Sequence, residues 1–136
     1  MKISAKDEYA CSAVLELALN HSVDSPVRVQ DIGDRHGIPI KFLFQIMQLL
    51  KRVDIVRSKR GMEGGYVLAR PPAQISVGDV LRAVSGPFVE LSVDDSNFKP
   101  IWRDLDQAIG AVLNNVTFDE LAQKARASKL QVMYHI

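Results

Sequence analysis

Apolar residues in the first fifty positions recur with the period of a helix in three separate blocks. Ala10, Ala13, Val14 and Leu17 fall at i, i+3, i+4 and i+7, which gathers them on one face. Ser4 precedes them, with Asp7 three residues on as an acidic variant of the capping box, so a helix is predicted from Ser4 to about Leu19 or Asn20. A polar loop runs from His21 to Pro26. Val29 to His36 reads as a short second helix stopped by Gly37, the residue that most easily takes a left-handed terminal conformation. Ile38-Pro39 turns the chain into a third helix, with Pro39 in its first turn, where a missing N–H costs nothing. Leu43, Ile46, Met47 and Leu50 repeat the apolar spacing, while Lys41, Phe42, Phe44, Gln45, Gln48 and Arg52 lie largely off that face. Two short helices joined by a glycine-containing turn predict a helix-turn-helix.

The period then changes. Ile55 to Ser58 and Tyr66 to Ala69 are rich in β-branched and aromatic residues and read as two strands. Between them Lys59-Arg60-Gly61-Met62-Glu63-Gly64-Gly65 supplies the backbone freedom of a tight hairpin, with two cations at its entrance. A hairpin directly after a helix-turn-helix is a wing, and its cations can reach phosphates or the minor groove beside the reading helix. A nucleotide-binding loop needs Gly-Lys-Ser/Thr before a helix. Here Gly65 leads into Tyr66 and a strand, and that reading fails.

Pro71-Pro72 ends the wing. Ser76 and Asp79 form a second acidic capping box for a helix with Val77, Val80, Leu81 and Val84 on one face, ending at Ser85-Gly86-Pro87. Phe88 to Pro100 has weak patterning and reads as a loop. Ile101 opens a longer helix with Leu105, Ile109, Val112 and Val116 along one stripe. Thr117 with Glu120 caps a last helix from Phe118 to about Ala127. The expected fold is mainly α with a small β-hairpin: a winged helix-turn-helix domain over residues 1–87, then a loop, a long helix and a C-terminal helix over 88–136.

Composition narrows the function. With 136 residues and 47% hydrophobic content, the chain can build a core without disulfides. No apolar run approaches the ~18 residues of a membrane span, and the first residues lack a secretory core. The single cysteine, Cys11, fits a reducing cytoplasm. Residues 1–70 hold 11 Lys and Arg against 8 Asp and Glu, and residues 71–136 hold 6 against 8. Lys51, Arg52, Arg57, Lys59 and Arg60, opposed only by Asp54, concentrate the positive charge where a polyanion would meet one face. His21, His36 and His135 show no metal-ligand spacing and read as surface or loop residues. Asp104 and Asp106, two apart on a helix, do not share a face. No catalytic constellation or cofactor motif is present, and an enzyme is not expected.

The residues resemble the Rrf family of bacterial regulators, of the IscR, NsrR and CymR type. The match rests on Met1 to Lys6 with Tyr9-Ala10; on Ile38-Pro39, Phe42-Leu43 and Gln45-Ile46; on Ser58 to Pro71 with Arg60-Gly61 and Gly64-Gly65-Tyr66; and on Val80 to Gly86. It covers roughly the first two-thirds of the chain, and the rest matches in layout. The resemblance implies a homodimer whose long helix packs two subunits together and whose third helix enters the major groove. Several members hold an iron–sulfur cluster on three cysteines between the preceding helix and the dimerisation helix. Here Phe88 to Pro100 contains none, and cluster ligation needs several thiolates, so no cofactor is expected.

Gln45 is the leading base-reading candidate, because an exposed Gln bonds adenine bidentately. Lys41, Phe42 and Phe44 flank it. Phe44 stands where some members place Glu, and it either touches a thymine methyl or packs under the wing, as Phe42 also can. Arg60, supported by Lys59, is assigned to the minor groove or a phosphate, and Lys2, Ser4, Lys6 and Tyr9 to backbone phosphates, although capping and packing alone also account for Ser4 and Tyr9. Ile101, Trp102, Leu105, Ile109, Val112 and Val116 are assigned to dimerisation. Cys11 reads as a small buried apolar group rather than a redox switch. These assignments describe a homodimeric transcription regulator on double-stranded DNA, a repressor by promoter occlusion, with activation by placement equally open to the fold. A winged-helix protein-interaction module and a small-molecule-gated sensor remain the alternatives, and an effector or partner protein stays open.

Overall fold

Capping chemistry and apolar period set the element boundaries in the computed structural model, which describes residues 2–21, 25–59, 65–93 and 96–134. Helix α1 (Ala5–Leu19) starts on Ser4, whose hydroxyl accepts from the Asp7 N–H while the Asp7 carboxylate accepts from the Ser4 N–H. Strand β1 (Val27–Arg28) leads into helix α2 (Val29–His36). Gly37 ends α2 at φ 65°, ψ 35°, a left-handed conformation that a side chain would strain. Helix α3 (Ile40–Arg52) follows with Pro39 as its cap, one position outside the helix rather than in its first turn.

Strands β2 (Val56–Ser58) and β3 (Gly65–Leu68) pair antiparallel, with Val56 opposite Leu68 and Ser58 opposite Tyr66. The expected hairpin is in fact two strands of a three-stranded sheet in the order β1-β3-β2, because Val27 and Arg28 pair with Tyr66 and Gly65. All four residues of β3 are buried. A 3-10 turn over Pro72–Gln74 leads to helix α4 (Val77–Ser85), started by the Ser76–Asp79 capping box.

Helix α5 (Lys99–Leu113) is followed by helix α6 (Phe118–Tyr134), which runs one to two turns past its expected end. The α5 stripe was expected to reach Val116, and this is corrected. Val116 lies beyond the helix, half-buried, and its carbonyl accepts from the Val77 N–H at 2.9 Å. The Phe118 N–H donates to the Ile75 carbonyl at 2.9 Å, so a short antiparallel pairing ends α5 and aims α6 back into the body.

One hydrophobic cluster joins α1, α2, α3, the sheet and α4, and it includes Phe118 and Ala122 of α6. The C-terminal helix therefore packs on α1, across the boundary placed at residue 87. Helix α5 stands apart: Gly110 is its only buried residue. Arg82 of α4 steadies it, donating to the Asn114 side chain at 2.9 Å while lying over the Phe88 ring at 5.0 Å. Gly78 permits this approach, since a Cβ there would collide with the Asn114 side chain.

Candidate nucleic-acid interface

Helix α3 is divided cleanly by burial. Leu43, Ile46, Met47 and Leu50 are inaccessible to solvent, fixing its rotation about its own axis through four anchors in tight packing. That rotation turns Lys41, Phe44, Gln45, Gln48, Lys51 and Arg52 outward. At 100° per residue, positions 41, 44, 45, 48, 51 and 52 fall on one continuous outer stripe. Phe44 is 41% exposed. Phe42 is half-buried, and its ring meets Tyr9 of α1 edge-on with centroids 5.7 Å apart. It packs on α1.

Two contacts tie the C-terminal half of α3 to the sheet. Lys51 Nζ donates to the Ser58 hydroxyl at 3.2 Å, and Gln48 Nε2 to the Tyr66 hydroxyl at 3.5 Å. Lys59 is half-buried, and its N–H continues the ladder to the Gly65 carbonyl at 3.0 Å. Arg57 on β2 and Arg28 on β1 are exposed cations beside it. Arg60 and residues 61–64 lie outside the described residues.

At the other end of α3, the Tyr9–Phe42 contact brings in the start of α1. Lys2 is exposed and Lys6 half-exposed. The Ser4 hydroxyl is engaged by Asp7 at 3.0 Å. Asp7 is 3% exposed and turned inward, while Glu8 is exposed. The structure thus places the stripe of α3 between the α1 start and the base of the wing. These two flanks supply cations, and the stripe supplies a mixture of amide, aromatic and cation.

Behind this face, Glu16 of α1 fastens the end of α2. Its carboxylate accepts from Arg35 Nη1 at 2.8 Å and lies 3.1 Å from His36 Nε2. His36 is exposed at the end of α2, as expected, and its ring also engages Glu16. Twenty residues separate it from Glu16, and no local pattern signals the contact. Gln48 and Lys51, given no site role in the sequence reading, join α3 to the sheet.

Between α4 and α5, residues 88–93 with Ser96 and the flank of α5 line a cavity of about 500 Å³ that includes Phe88, Glu90, Leu91, Trp102 and Leu105. The stretch from Phe88 to Pro100 holds no cysteine. Cys11, the chain's one cysteine, sits on α1, where burial and the nearby Glu8 and Asp7 carboxylates push its thiol up to about 11. A neutral thiol on another helix is not a donor set for an iron–sulfur cluster. Among the described residues, no group of three His, Cys, Asp or Glu side chains converges on a metal position, and no helix is long and apolar enough to cross a membrane.

Ile101, Leu105 and Val112 leave one face of α5 56%, 43% and 65% exposed, with Trp102 at 37% on its flank and Ile109 half-buried. Opposite them, Asp106 accepts from the Val89 N–H at 3.2 Å and Gly110 packs against Phe88. The apolar face of α5 therefore points away from the rest of the chain.

Comparison with known proteins agrees with this architecture. The profile of the family described as "Rrf2: Iron-dependent Transcriptional regulator" matches residues 3–124. The HTH-type transcriptional regulator IscR of Yersinia pestis is 36% identical over 135 residues, spanning 89% of this chain and 79% of the relative. The structure of CymR, the global cysteine regulator of B. subtilis, superposes with a TM-score of 0.76 at 32% identity, covering 91% of this chain and 98% of that one. T. potens IscR gives a TM-score of 0.76 at 34% identity, with coverages of 92% and 88%.

Proposed function

This chain belongs to the Rrf2 family of transcriptional regulators, and from that premise we propose that it is a homodimer reading a two-fold operator without an iron–sulfur cluster. As a family of DNA-binding regulators it is not enzymatic. The observation that carries the reading is the division of α3: four buried anchors hold a polar and aromatic stripe outward beside a basic wing. Gln45 reads a base edge, Lys41 and Phe44 contact its neighbours, and Phe42 sits at their margin with its ring braced by Tyr9. Lys59 and Arg60 follow the wing to the minor groove or a phosphate, while Lys2, Ser4, Lys6 and Tyr9 meet the backbone at the opposite end.

Dimerisation rests on Ile101, Leu105, Ile109 and Val112 with Trp102 beside them. An apolar row of this size turned away from its own core is a surface for a second copy. Two copies would place the α3 helices about one helical turn, ~34 Å, apart. Occlusion of a promoter by such a dimer makes repression the default mode. The cavity beside Trp102 supports a second reading, in which a small molecule gates the regulator, and ligand-dependent melting shifts test for it.

Selection of bound sequences from random DNA, followed by footprinting, tests the main reading. The expected product is a palindromic site, with Gln45→Ala losing discrimination at one base position per half-site. Absence of any selected sequence would remove the proposal in favour of an interaction module.

A further inference from the structure

Two capping boxes of the same chemistry start α1 and α4, but their carboxylates use the second oxygen differently. In the Ser76–Asp79 box, Oδ2 accepts from the Ser76 N–H at 3.0 Å, and Oδ1 accepts from Arg82 Nη2 at 3.1 Å. Arg70 adds a contact at 3.5 Å, and the carboxylate faces partly into solvent among cations. In the Ser4–Asp7 box, Oδ2 accepts from the Ser4 N–H at 2.9 Å and the Ser4 hydroxyl at 3.0 Å. Its other oxygen accepts from the Ser85 hydroxyl, on the last residue of α4.

A helix start needs only one carboxylate oxygen for its box. Burial pushes the Asp7 carboxyl up, yet the bonds from Ser85 and Ser4 outweigh it and leave it below its ordinary value of 3.8. A charge withdrawn from water and held by hydroxyls has one satisfied geometry, so it acts as a directional link and not as a loose surface contact.

The link lies between two functional routes. On one side, Ser4 is preceded by exposed Lys2, and Tyr9 further along α1 packs edge-on against Phe42 of α3. On the other side, Ser85 is followed by Gly86 at φ 79° and by Pro87, where the chain departs for Phe88 and α5. The start that carries Lys2 and Lys6 and the segment that leads to the unpartnered helix thus diverge from one carboxylate.

We propose that Asp7 is a positioning residue for DNA binding, holding the cationic start of the chain in register with the exit toward α5 through its bond to Ser85. This inference rests on the DNA-binding reading above. Its content is that phosphate contacts at the α1 start depend on a residue 78 positions away that touches no DNA itself.

Ser85→Ala separates the link from the cap, because it leaves the Ser4–Asp7 box complete. The full chain, wild type, Ser85→Ala, Ser85→Thr and Asp79→Asn, is titrated against one selected operator from about 50 to 200 mM salt, and each variant is melted. Each lost phosphate contact lowers the slope of log affinity against log salt by about 0.9. Ser85→Ala is expected to weaken binding about tenfold at low salt and to flatten that slope by one contact per subunit or more. Ser85→Thr restores both. Asp79→Asn, which strips the other box of its charge and of its ion pairs with Arg70 and Arg82, lowers the melting temperature with the slope unchanged. Wild-type affinity in Ser85→Ala, or a loss in parallel at every salt concentration, would overturn the inference while leaving the DNA-binding reading intact. Failure of the wild type to bind any DNA would remove both.

Discussion

Helix α3 covers its apolar row and helix α5 leaves its own bare, although the two have 13 and 15 residues and similar apolar spacing. In α3 the row faces α1, α4 and the sheet, and its four anchors are sealed. In α5 the side turned toward the subunit carries Gly110 and Asp106, and the large side chains point outward. The difference teaches that an amphipathic pattern fixes which face seeks cover, not where the cover comes from. For α3 it comes from the same chain, so its polar side is free to meet a ligand. For α5 this chain supplies no cover, and the proposed dimer would provide it.

The comparison breaks most severely if α3 loses an anchor. Leu43→Ala or Ile46→Ala leaves a cavity in the common core and should cost about 2–5 kcal/mol of stability, measured by urea unfolding. A mutant as stable as wild type would show that the packing around α3 is not the tight kind described. Val112→Asp should do the reverse. It lies on exposed surface, so folding changes little, but two carboxylates meeting across a two-fold interface should cost several kcal/mol of association. Sedimentation equilibrium should then find monomers where wild type gives dimers. Gln45→Ala, on the open side of α3, should cost about 1–3 kcal/mol at one base position without altering the melting temperature.

Acid sharpens the comparison through the cover of α3. Burial raises the Asp7 and Asp79 carboxyls, but Ser85 and Ser4 for the first, and Ser76, Arg70 and Arg82 for the second, more than compensate and lower both. Their stabilisation of α1 and α4 is complete above the unfolded value of 3.8. It drains away as pH falls through the lowered folded values. Unfolding midpoints should therefore fall below about pH 4, with a shallower fall in Asp79→Asn than in wild type. The smallest effect is expected from Cys11→Ala under mild oxidant. Its thiol, pushed up to about 11, is almost wholly protonated at neutral pH, so DNA binding by wild type and mutant should respond alike to the oxidant.

Most of the covered body was legible in the sequence because its signals are local. The bounds of α2, the Ser4–Asp7 and Ser76–Asp79 boxes and the four α3 anchors follow from spacings of three or four residues. Strand β1 was not legible, since two residues carry no alternation and Val27 and Arg28 become a strand only by pairing with β3. The end of α5 was misjudged because Val116 continues the apolar period. Pairing of residues 75–77 with 116–118 overrides that period and terminates the helix. For the candidate interface, the outward stripe of α3 could be foreseen from what its opposite face buries. Tyr9 against Phe42, Glu16 with His36, and Asp7 with Ser85 could not, because each joins positions distant in sequence.

Trp102 is the chain's only tryptophan, and it flanks the bare row of α5 at the mouth of the cavity. The protein therefore carries an intrinsic fluorophore at the place where a second subunit or a small molecule would arrive. A dilution series read by emission wavelength would follow assembly without a label, while the folded body contributes no competing indole signal.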